Sequence, residues 1–330
     1  MPATGPKPAD PSLRVHGVAD AVADAVGGNW VDTLAPASTR PYLRLSRADR
    51  PIGTWLLLLP CWWGIALAML AGGNPRWGDL WIALGCGMGA WLMRGAGCTW
   101  NDITDRDFDG AVARTRSRPI PSGAVTAKQA LAWGIAQSLL AFCILLTFNT
   151  PTIALGVLSL VPVTIYPFAK RFTWWPQVFL GLAFNWGAIL AWTAHSGAFD
   201  PRSLILYVAG IAWTLFYDTI YAHQDTEDDA LIGVKSTARL FGEHSPRWLR
   251  AFLAISVALM ALTIWLVLPA DAPSLQTVVT MAAPLAFGAH MVWQLVRFDP
   301  NDQDGLLVLF RSNRNAGLIP LILLLLAAAL

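Results

Sequence analysis

The sequence predicts an all-α membrane protein, a bundle of about nine transmembrane helices around a central cavity. The 330 residues are 55% hydrophobic and only 13% charged, with a mean hydropathy of +0.49, whereas soluble domains carry about 25% charged residues. The chain also contains 17 tryptophans, and tryptophan concentrates at membrane interfaces. Apolar stretches near the ~20 residues that a helix needs to cross a bilayer recur from residue 52 to the last residue.

The expected spans follow one another with short connections. Their approximate limits are 52–72, 79–99, 127–147, 151–169, 177–195, 203–222, 250–268, 276–296 and 315–330. Lysine and arginine concentrate in the N-terminal region and in the loops after even-numbered spans, whereas the opposite loops hold only Arg76 and Arg202. Because cytoplasmic loops are enriched in basic residues, this asymmetry predicts a cytoplasmic N-terminus. We expect the central cavity to open to the cytoplasmic side.

Two regions of the chain differ in composition. Residues 1–40 are rich in Ala, Pro, Asp and Val and contain no apolar segment of the kind that marks a secretory signal. We expect them to form a flexible cytoplasmic extension, and 41–330 to form a single transmembrane domain. Four aspartates of the extension, the first at Asp10 and the last at Asp32, argue against a mitochondrial transit peptide, which would be poor in acids. The expectation is therefore a multi-pass protein of a bacterial inner (plasma) membrane rather than of a mitochondrial inner membrane.

The stretch from Asn101 to Asp109 concentrates the polar chemistry of the chain. It holds four aspartates and one asparagine in nine residues, directly after an apolar segment, where acids are costly without a partner. Asn101, Asp105 and Asp109 stand at i, i+4 and i+8, so a helix places them on nearly one face. Three oxygen side chains on one face suit a hard cation such as Mg²⁺, which usually shares substrate phosphates. Three arginines that follow supply charge for binding phosphate: Arg114, Arg116 and Arg118.

A second acidic cluster follows the sixth expected span. Asp225 and Asp229 repeat the i, i+4 spacing, and Asp218 lies two turns earlier. Four spans, an even number, separate the two clusters, so both face the same side of the membrane. Solvated loop acids would explain one such cluster, but two clusters with matching spacing favour opposed carboxylates that hold a diphosphate through shared cations.

Three further polar residues are candidates for the cavity. Arg94 lies seven residues, or two helical turns, before Asn101. Snorkelling to the headgroups would explain a charge near the end of a span, but we favour a polar role inside the cavity, because Arg94 shares a helical face with Asn101. Tyr166 and Lys170 form another i, i+4 pair at the end of the fourth span, where an interfacial anchor pair is the alternative to a cavity role.

Three sequence blocks resemble a known family. They are Arg50–Trp55 (RPIGTW), Met93–Gly123 with the pattern NDxxDxxxD, and Tyr217–Thr237 with the later DxxxD. Over residues 41–330 the chain is similar to the 4-hydroxybenzoate polyprenyltransferases of the UbiA superfamily. The resemblance implies a nine-helix bundle, Mg²⁺ dependence, and transfer of a polyprenyl group from polyprenyl diphosphate to the ring carbon ortho to the hydroxyl of 4-hydroxybenzoate, in ubiquinone biosynthesis.

The resemblance also assigns roles to individual residues. The implied metal–diphosphate residues are Asn101, Asp105, Asp109, Asp225 and Asp229. The implied diphosphate or substrate-pocket residues are Arg114, Arg118, Tyr166 and Lys170. Arg94 becomes a polar-pocket residue that acts in catalysis, alongside the four aspartates. The implied partners are the two substrates and the lipid bilayer, and a net charge of +2 is too small to predict nucleic-acid binding.

Three alternative functions compete with this interpretation. A prenyltransferase of the same superfamily with another acceptor would carry the same motifs. CDP-alcohol phosphotransferases resemble DxxDGxxARx8GxxxDxxxD, but three of the metal-ligand positions of that pattern are here Arg106, Ala127 and Leu131. A cation or phosphate transporter would place its acids near the bilayer midplane, whereas these acids lie at the ends of spans.

Overall fold

The computed structural model describes residues 28–73, 75–111 and 115–330, and these form helices joined by turns. In chain order the helices are α1 (Trp30–Thr33), α2 (Arg40–Leu45), α3 (Ile52–Ala68), α4 (Trp77–Ala111), α5 (Ala127–Leu145), α6 (Thr150–Leu158), α7 (Leu160–Phe172), α8 (Pro176–Phe184), α9 (Trp186–Ser196), α10 (Arg202–Ala222), α11 (Thr226–Ile232), α12 (Thr237–Phe241), α13 (Ser245–Val267), α14 (Ser274–Val296) and α15 (Gln303–Ala328). A π-helical turn, Met69–Gly73, follows α3, and 3₁₀ turns follow α10 and α12. The prediction of an all-α, multi-span bundle is confirmed.

Within the described residues, eight segments are long and apolar enough to cross a membrane. They are Ile52–Gly72, Ala127–Leu145, Thr150–Phe172, Pro176–Ser196, Arg202–Asp225, Thr237–Val267, Ser274–Val296 and Gln303–Ala328. The expected span 79–99 is helical but belongs to the 35-residue α4. Because glycines and Arg94 dilute its apolar character, α4 is a ninth long helix that does not meet the composition of a span. The membrane-crossing count is thus eight by length and composition, rather than nine.

The last helix begins earlier than the sequence indicates. The expected limits were 315–330, whereas α15 runs over 26 residues from Gln303. Arg311, Asn313 and Arg314 interrupt the apolar run without interrupting the helix. Asn313 is fully buried and exchanges hydrogen bonds of 3.1 Å with Gln294 of α14. A buried amide that finds a partner on the next helix is tolerated inside a membrane bundle.

Local sequence signals explain where several helices begin and end. Thr126 and Gln129 form a capping box at the start of α5, which satisfies backbone N–H groups that have no partner within the helix. Asn149 accepts a hydrogen bond of 3.1 Å from the Thr152 backbone N–H at the start of α6. Gly197 follows α9 with φ 79°, a left-handed conformation that glycine adopts without strain.

The packed core lies between α3, α10, α13, α14 and α15. Trp63, Trp213 and Phe287 meet there with ring centroids 5.0 to 5.8 Å apart. The Trp63 indole donates to the Gly317 carbonyl at 2.8 Å, and the Trp213 indole donates to Asn313 Oδ1 at 3.0 Å. Each indole therefore buries its ring while its N–H keeps a partner. This half of the bundle is closely packed, and α8 and α9 contact it through α3 and α10.

The segment before α3 is folded against the bundle. Asn29 caps α1, the Trp30 indole donates to the Ala48 carbonyl at 3.1 Å, and Arg44 pairs with Asp32 at 2.9 Å. Residues 28–40 of the expected flexible extension are thus ordered by their contacts with α2 and the turn after it. The rest of that extension, residues 1–27, lies outside the described residues.

Candidate active site

The first acidic cluster occupies the last turns of α4. This helix continues for three turns beyond the expected end of its span, so Asn101, Asp105 and Asp109 do lie on one helix and share a face. Asp105 is 1% exposed. Its carboxylate pairs with the Lys170 ammonium and lies 3.5 Å from the Arg171 guanidinium. Both cations come from the end of α7, and they supply the charge that a buried carboxylate requires.

Asp109 is neutralised by the loop that follows α4. Arg118 Nη1 donates to both Asp109 oxygens, at 2.8 and 3.0 Å. Burial raises the pKa of the Asp109 carboxyl above its usual value; the Arg118 guanidinium opposes this rise and the nearby Asp102 carboxylate adds to it. Asp109 is therefore a carboxylate whose charge is costly to keep without a cation beside it. Arg114, the other predicted phosphate-binding arginine, lies outside the described residues.

Asp102 has a role that the sequence did not reveal. It is fully buried and accepts two hydrogen bonds from the Arg47 guanidinium, at 2.9 and 2.5 Å. Arg47 itself has φ 55°, a left-handed conformation that is uncommon for a residue with a β-carbon. The only available signal was that Asp102 follows Asn101 directly and so points away from the face of the predicted ligands. Nothing in the sequence identified its partner.

The second acidic cluster begins where α10 ends. Asp225 closes the 3₁₀ turn His223–Asp225, and Asp229 lies in α11. The backbone N–H of Lys235, just after this cluster, donates to the Lys170 carbonyl at 3.1 Å. Since Lys170 pairs with Asp105, the end of α7 contacts both the first cluster and the segment that carries the second.

Tyr166 and Asp218 lie near charged residues of both clusters. Arg94, Asp105 and Asp218 are neighbours of Tyr166. Arg94 and Asp225 are neighbours of Asp218. The predicted pocket residues Arg94, Tyr166 and Lys170 are thus brought together with Asp105. Asp218 lies near the same group, and its spacing in the sequence did not identify a role for it.

A cavity of about 520 Å³ lies beside this polar group. It follows α4 from Gly85 to Gly97, and α3 and helices α5 to α9 supply its other walls. At 1.5 Å per residue this stretch of α4 is about 18 Å long. Arg94 and Tyr166 lie in the wall, which is otherwise mostly apolar. Asn101 begins one turn beyond Gly97, so the cavity and the acidic end of α4 follow one another.

The donor atoms of the two clusters fit a hard cation. Asparagine and aspartate offer only oxygen atoms, the ligands that Mg²⁺ prefers. Across the described part of the chain, no three His, Cys, Asp or Glu side chains converge into a ready metal centre. Lys170 and Arg118 instead hold the carboxylates of the first cluster. The chemistry of the donors agrees with the predicted metal.

Comparison with known proteins decides the family. A sequence model of the UbiA prenyltransferase family matches residues 57–314. The chain belongs to the UbiA prenyltransferase family. Family relatives include the protein named 4-hydroxybenzoate polyprenyltransferase, mitochondrial, of Rattus norvegicus, which is 49% identical over 86% of this chain and 74% of its own length. The Homo sapiens protein of the same name is 47% identical over the same shares.

Solved structures of family members share the fold. A UbiA homolog from Aeropyrum pernix K1 superposes with a TM-score of 0.59 at 26% identity, over 81% of this chain and 96% of that one. A UbiA homolog from Archaeoglobus fulgidus, described as bound to GPP and Mg²⁺, gives a TM-score of 0.64 at 20% identity, over 88% of this chain and 100% of that one. The Archaeoglobus fulgidus homolog therefore binds Mg²⁺ together with GPP.

The expected location in a bacterial inner membrane is wrong by this comparison. The similar proteins of rat, human and Dictyostelium discoideum are each named mitochondrial. The expectation depended on the aspartates of residues 1–40, a part of the chain that the family match at 57–314 does not include. Acidic residues near the N-terminus argue against one type of targeting signal, and they do not exclude a mitochondrial membrane. The comparison supports a multi-pass membrane protein with mitochondrial relatives.

The Arg47–Asp102 pair generates a prediction about stability. Replacement Asp102→Ala leaves the buried Arg47 guanidinium without this carboxylate, and we expect the free energy of unfolding to fall by about 3–5 kcal/mol. The matched control is Asp107→Ala, because the Asp107 side chain is 87% exposed and its loss should change stability by at most about 0.5 kcal/mol. Thermal unfolding in detergent measures both variants. Equal stability of the two would contradict a structural role for the pair.

Proposed function

We propose that the chain transfers a polyprenyl group from polyprenyl diphosphate to the ring carbon ortho to the hydroxyl of 4-hydroxybenzoate, in ubiquinone biosynthesis. The names of relatives at 47–49% identity over 86% of this chain support 4-hydroxybenzoate polyprenyltransferase activity. The ring position and the roles of individual residues are the further content of the proposal.

The observation that carries the proposal is the junction between the cavity and the acidic clusters. A polyprenyl diphosphate has a long apolar chain and a strongly anionic head. The cavity of about 520 Å³ offers an apolar wall for the chain, and the acidic end of α4 starts one turn beyond it. Arg94 and Tyr166 lie in the cavity wall, where the reacting carbon of such a donor would come to rest. The ordered sequence of apolar wall, polar junction and acidic end matches the donor from tail to head.

The residues that would hold Mg²⁺ are Asn101, Asp105, Asp109, Asp225 and Asp229. When bound, Mg²⁺ supplies positive charge that offsets the charge developing on the departing diphosphate. Lys170 and Arg118, which pair with the acids of α4, would then be released to contact the diphosphate oxygens. Arg114 has the same proposed role. Placing these cations around the leaving group favours the transition state over the bound substrate, since the charge on the diphosphate increases as the bond breaks.

The reaction exchanges one bond for another. The carbon–oxygen bond of the allylic diphosphate breaks and leaves diphosphate and a delocalised carbocation. The ring carbon ortho to the phenol hydroxyl then forms a carbon–carbon bond to that cation and loses its proton, which the released diphosphate can accept. Phe148, Phe184 and Trp186 line the cavity, so their faces can stabilise the cation while the apolar wall excludes the water that would capture it. We assign the acceptor's carboxylate to Arg94, whose guanidinium can bind it through two parallel hydrogen bonds.

The first prediction of this proposed function concerns the products. Membranes that contain the protein should convert 4-hydroxybenzoate and a polyprenyl diphosphate to 3-polyprenyl-4-hydroxybenzoate, and removal of Mg²⁺ with a chelator should stop the reaction reversibly. Mass spectrometry of the products from a series of polyprenyl diphosphates measures this. Membranes from cells that lack the protein are the control. Prenylation of a different aromatic acceptor but not of 4-hydroxybenzoate would contradict the proposal.

The second prediction concerns the carboxylates. Asp105→Asn and Asp225→Asn should each reduce turnover by at least about 100-fold, because loss of one preorganised electrostatic group costs roughly 3 kcal/mol of transition-state stabilisation. Asp107→Asn is the matched control, since this aspartate lies on the same helix with a side chain 87% exposed. Turnover is measured in membranes in which each variant is present at equal amount. Near-normal activity of both site variants would refute the metal role.

The third prediction concerns Arg94. If its guanidinium binds the acceptor, Arg94→Ala should raise the KM for 4-hydroxybenzoate far more than the KM for the polyprenyl diphosphate, since lost ground-state binding appears in KM. Loss of a charge-assisted hydrogen bond of about 1.5–3 kcal/mol corresponds to a roughly 10- to 150-fold rise. Steady-state kinetics with each substrate varied in turn measures both constants. A rise confined to the diphosphate KM would move Arg94 to the donor site.

A further inference from the structure

Three helices converge on the guanidinium of Arg94. Arg94 belongs to α4, Gly53 to the first turn of α3, and Phe184 to the end of α8. The Phe184 ring centroid lies 5.4 Å from Arg94 Cζ, within the range of a cation–π contact. Gly53 is buried and approaches the guanidinium from α3. The cationic group therefore contacts both an aromatic ring and the backbone of α3 at Gly53.

The contact with Gly53 leaves no room for a side chain. A β-carbon built on Gly53 would lie 2.6 Å from Arg94 Cζ and 2.5 Å from Nη2, well inside van der Waals contact. Any residue other than glycine must therefore displace the guanidinium. Gly53 has no left-handed backbone angle, so its conformation does not require glycine, and the need for glycine here is steric.

The guanidinium is also incompletely bonded. Arg94 Nε is buried and has no hydrogen-bond partner within the part of the chain that the structure describes. A buried donor of a charged group that lacks a partner is costly, and it calls for an explanation such as strain, a catalytic role or a bound ligand. Arg94 and Tyr166 both line the cavity, so such a ligand would approach from the cavity.

From these contacts we propose that Gly53 is a positioning residue for substrate recognition. The missing side chain at Gly53 lets the Arg94 guanidinium lie against α3, and the Phe184 ring contacts the same guanidinium. The position of the guanidinium then fixes where a carboxylate can bind, and hence which ring carbon of the acceptor faces the prenyl donor. This inference rests on the proposed function of Arg94 as the partner of the acceptor's carboxylate.

The primary test is Gly53→Ala. The added methyl group displaces the guanidinium, so the KM for 4-hydroxybenzoate should rise about 10-fold, the effect of weakening one charge-assisted hydrogen bond. The KM for the polyprenyl diphosphate should stay within about 2-fold of the unmodified protein. The matched control is Gly87→Ala on α4, where an added β-carbon meets no atom within 4 Å and which does not line the cavity. The control should leave both constants unchanged.

A double-mutant cycle separates positioning from a general effect on folding. In an Arg94→Ala background the guanidinium is absent, so Gly53→Ala should change the acceptor KM by less than about 2-fold. If Gly53→Ala alone does not fold, the double variant relieves the overlap and should fold, which thermal unfolding in detergent reports. Equal effects of Gly53→Ala in both backgrounds, or failure of both variants to fold, would overturn the proposal.

The same cycle distinguishes this inference from the function on which it rests. An unchanged acceptor KM in Arg94→Ala would refute the acceptor role of Arg94 and, with it, the positioning role of Gly53. A raised acceptor KM in Arg94→Ala together with an unchanged one in Gly53→Ala would refute only the role of Gly53. The expected result is a raised acceptor KM in both single variants. In the double variant the two effects should not add.

Discussion

The structure depends on neutralising the carboxylates at the end of α4. Three of them are buried there, and each has a cation from a different part of the chain. The partners are Arg47 from the segment before α3, Arg118 from the loop after α4, and Lys170 from the end of α7. A buried charge without a partner would cost several kcal/mol, so these pairs determine where the segment, the loop and α7 lie. Besides being a candidate ligand set, the acidic motif therefore determines the positions of the elements around it.

One half of the bundle is densely packed, and the other half contains the cavity. Trp63, Trp213 and Phe287 fill the interior between α3, α10 and α14, and the two indole N–H groups donate hydrogen bonds to α15. On the other side, α4 presents Gly89 and Gly97 to the cavity, where an added β-carbon would meet no atom within 4 Å and volume is left unfilled. Helix α3 contributes to both halves, with Trp63 in the packed core and Leu57 and Cys61 in the wall of the cavity.

Much of the fold followed from hydropathy, because each helix in a membrane must satisfy its own backbone and therefore appears as an apolar run. The acidic clusters could also be recognised in the sequence, because residues four apart lie on the same face of a helix. Partners distant in sequence were not predictable. The pairing of Asp102 with Arg47 and the close approach of Gly53 to Arg94 depend on how helices pack against each other. No local sequence pattern encodes that packing. The full extent of α4 and α15 was also missed, because polar residues that have partners end a hydropathy run without ending a helix.

The chain order of these ion pairs has a consequence for biogenesis. Arg47 precedes Asp102 by 55 residues and Arg118 follows Asp109 by nine, so both are made before or soon after the acids that they neutralise. Lys170 follows Asp105 by 65 residues, which at ribosomal speeds is a delay of roughly 3 to 13 s. During that interval Asp105 can stay in water at the membrane surface while the rest of α4 is already anchored. Of the three ion pairs, the one between Asp105 and Lys170 of α7 would therefore be the last to form.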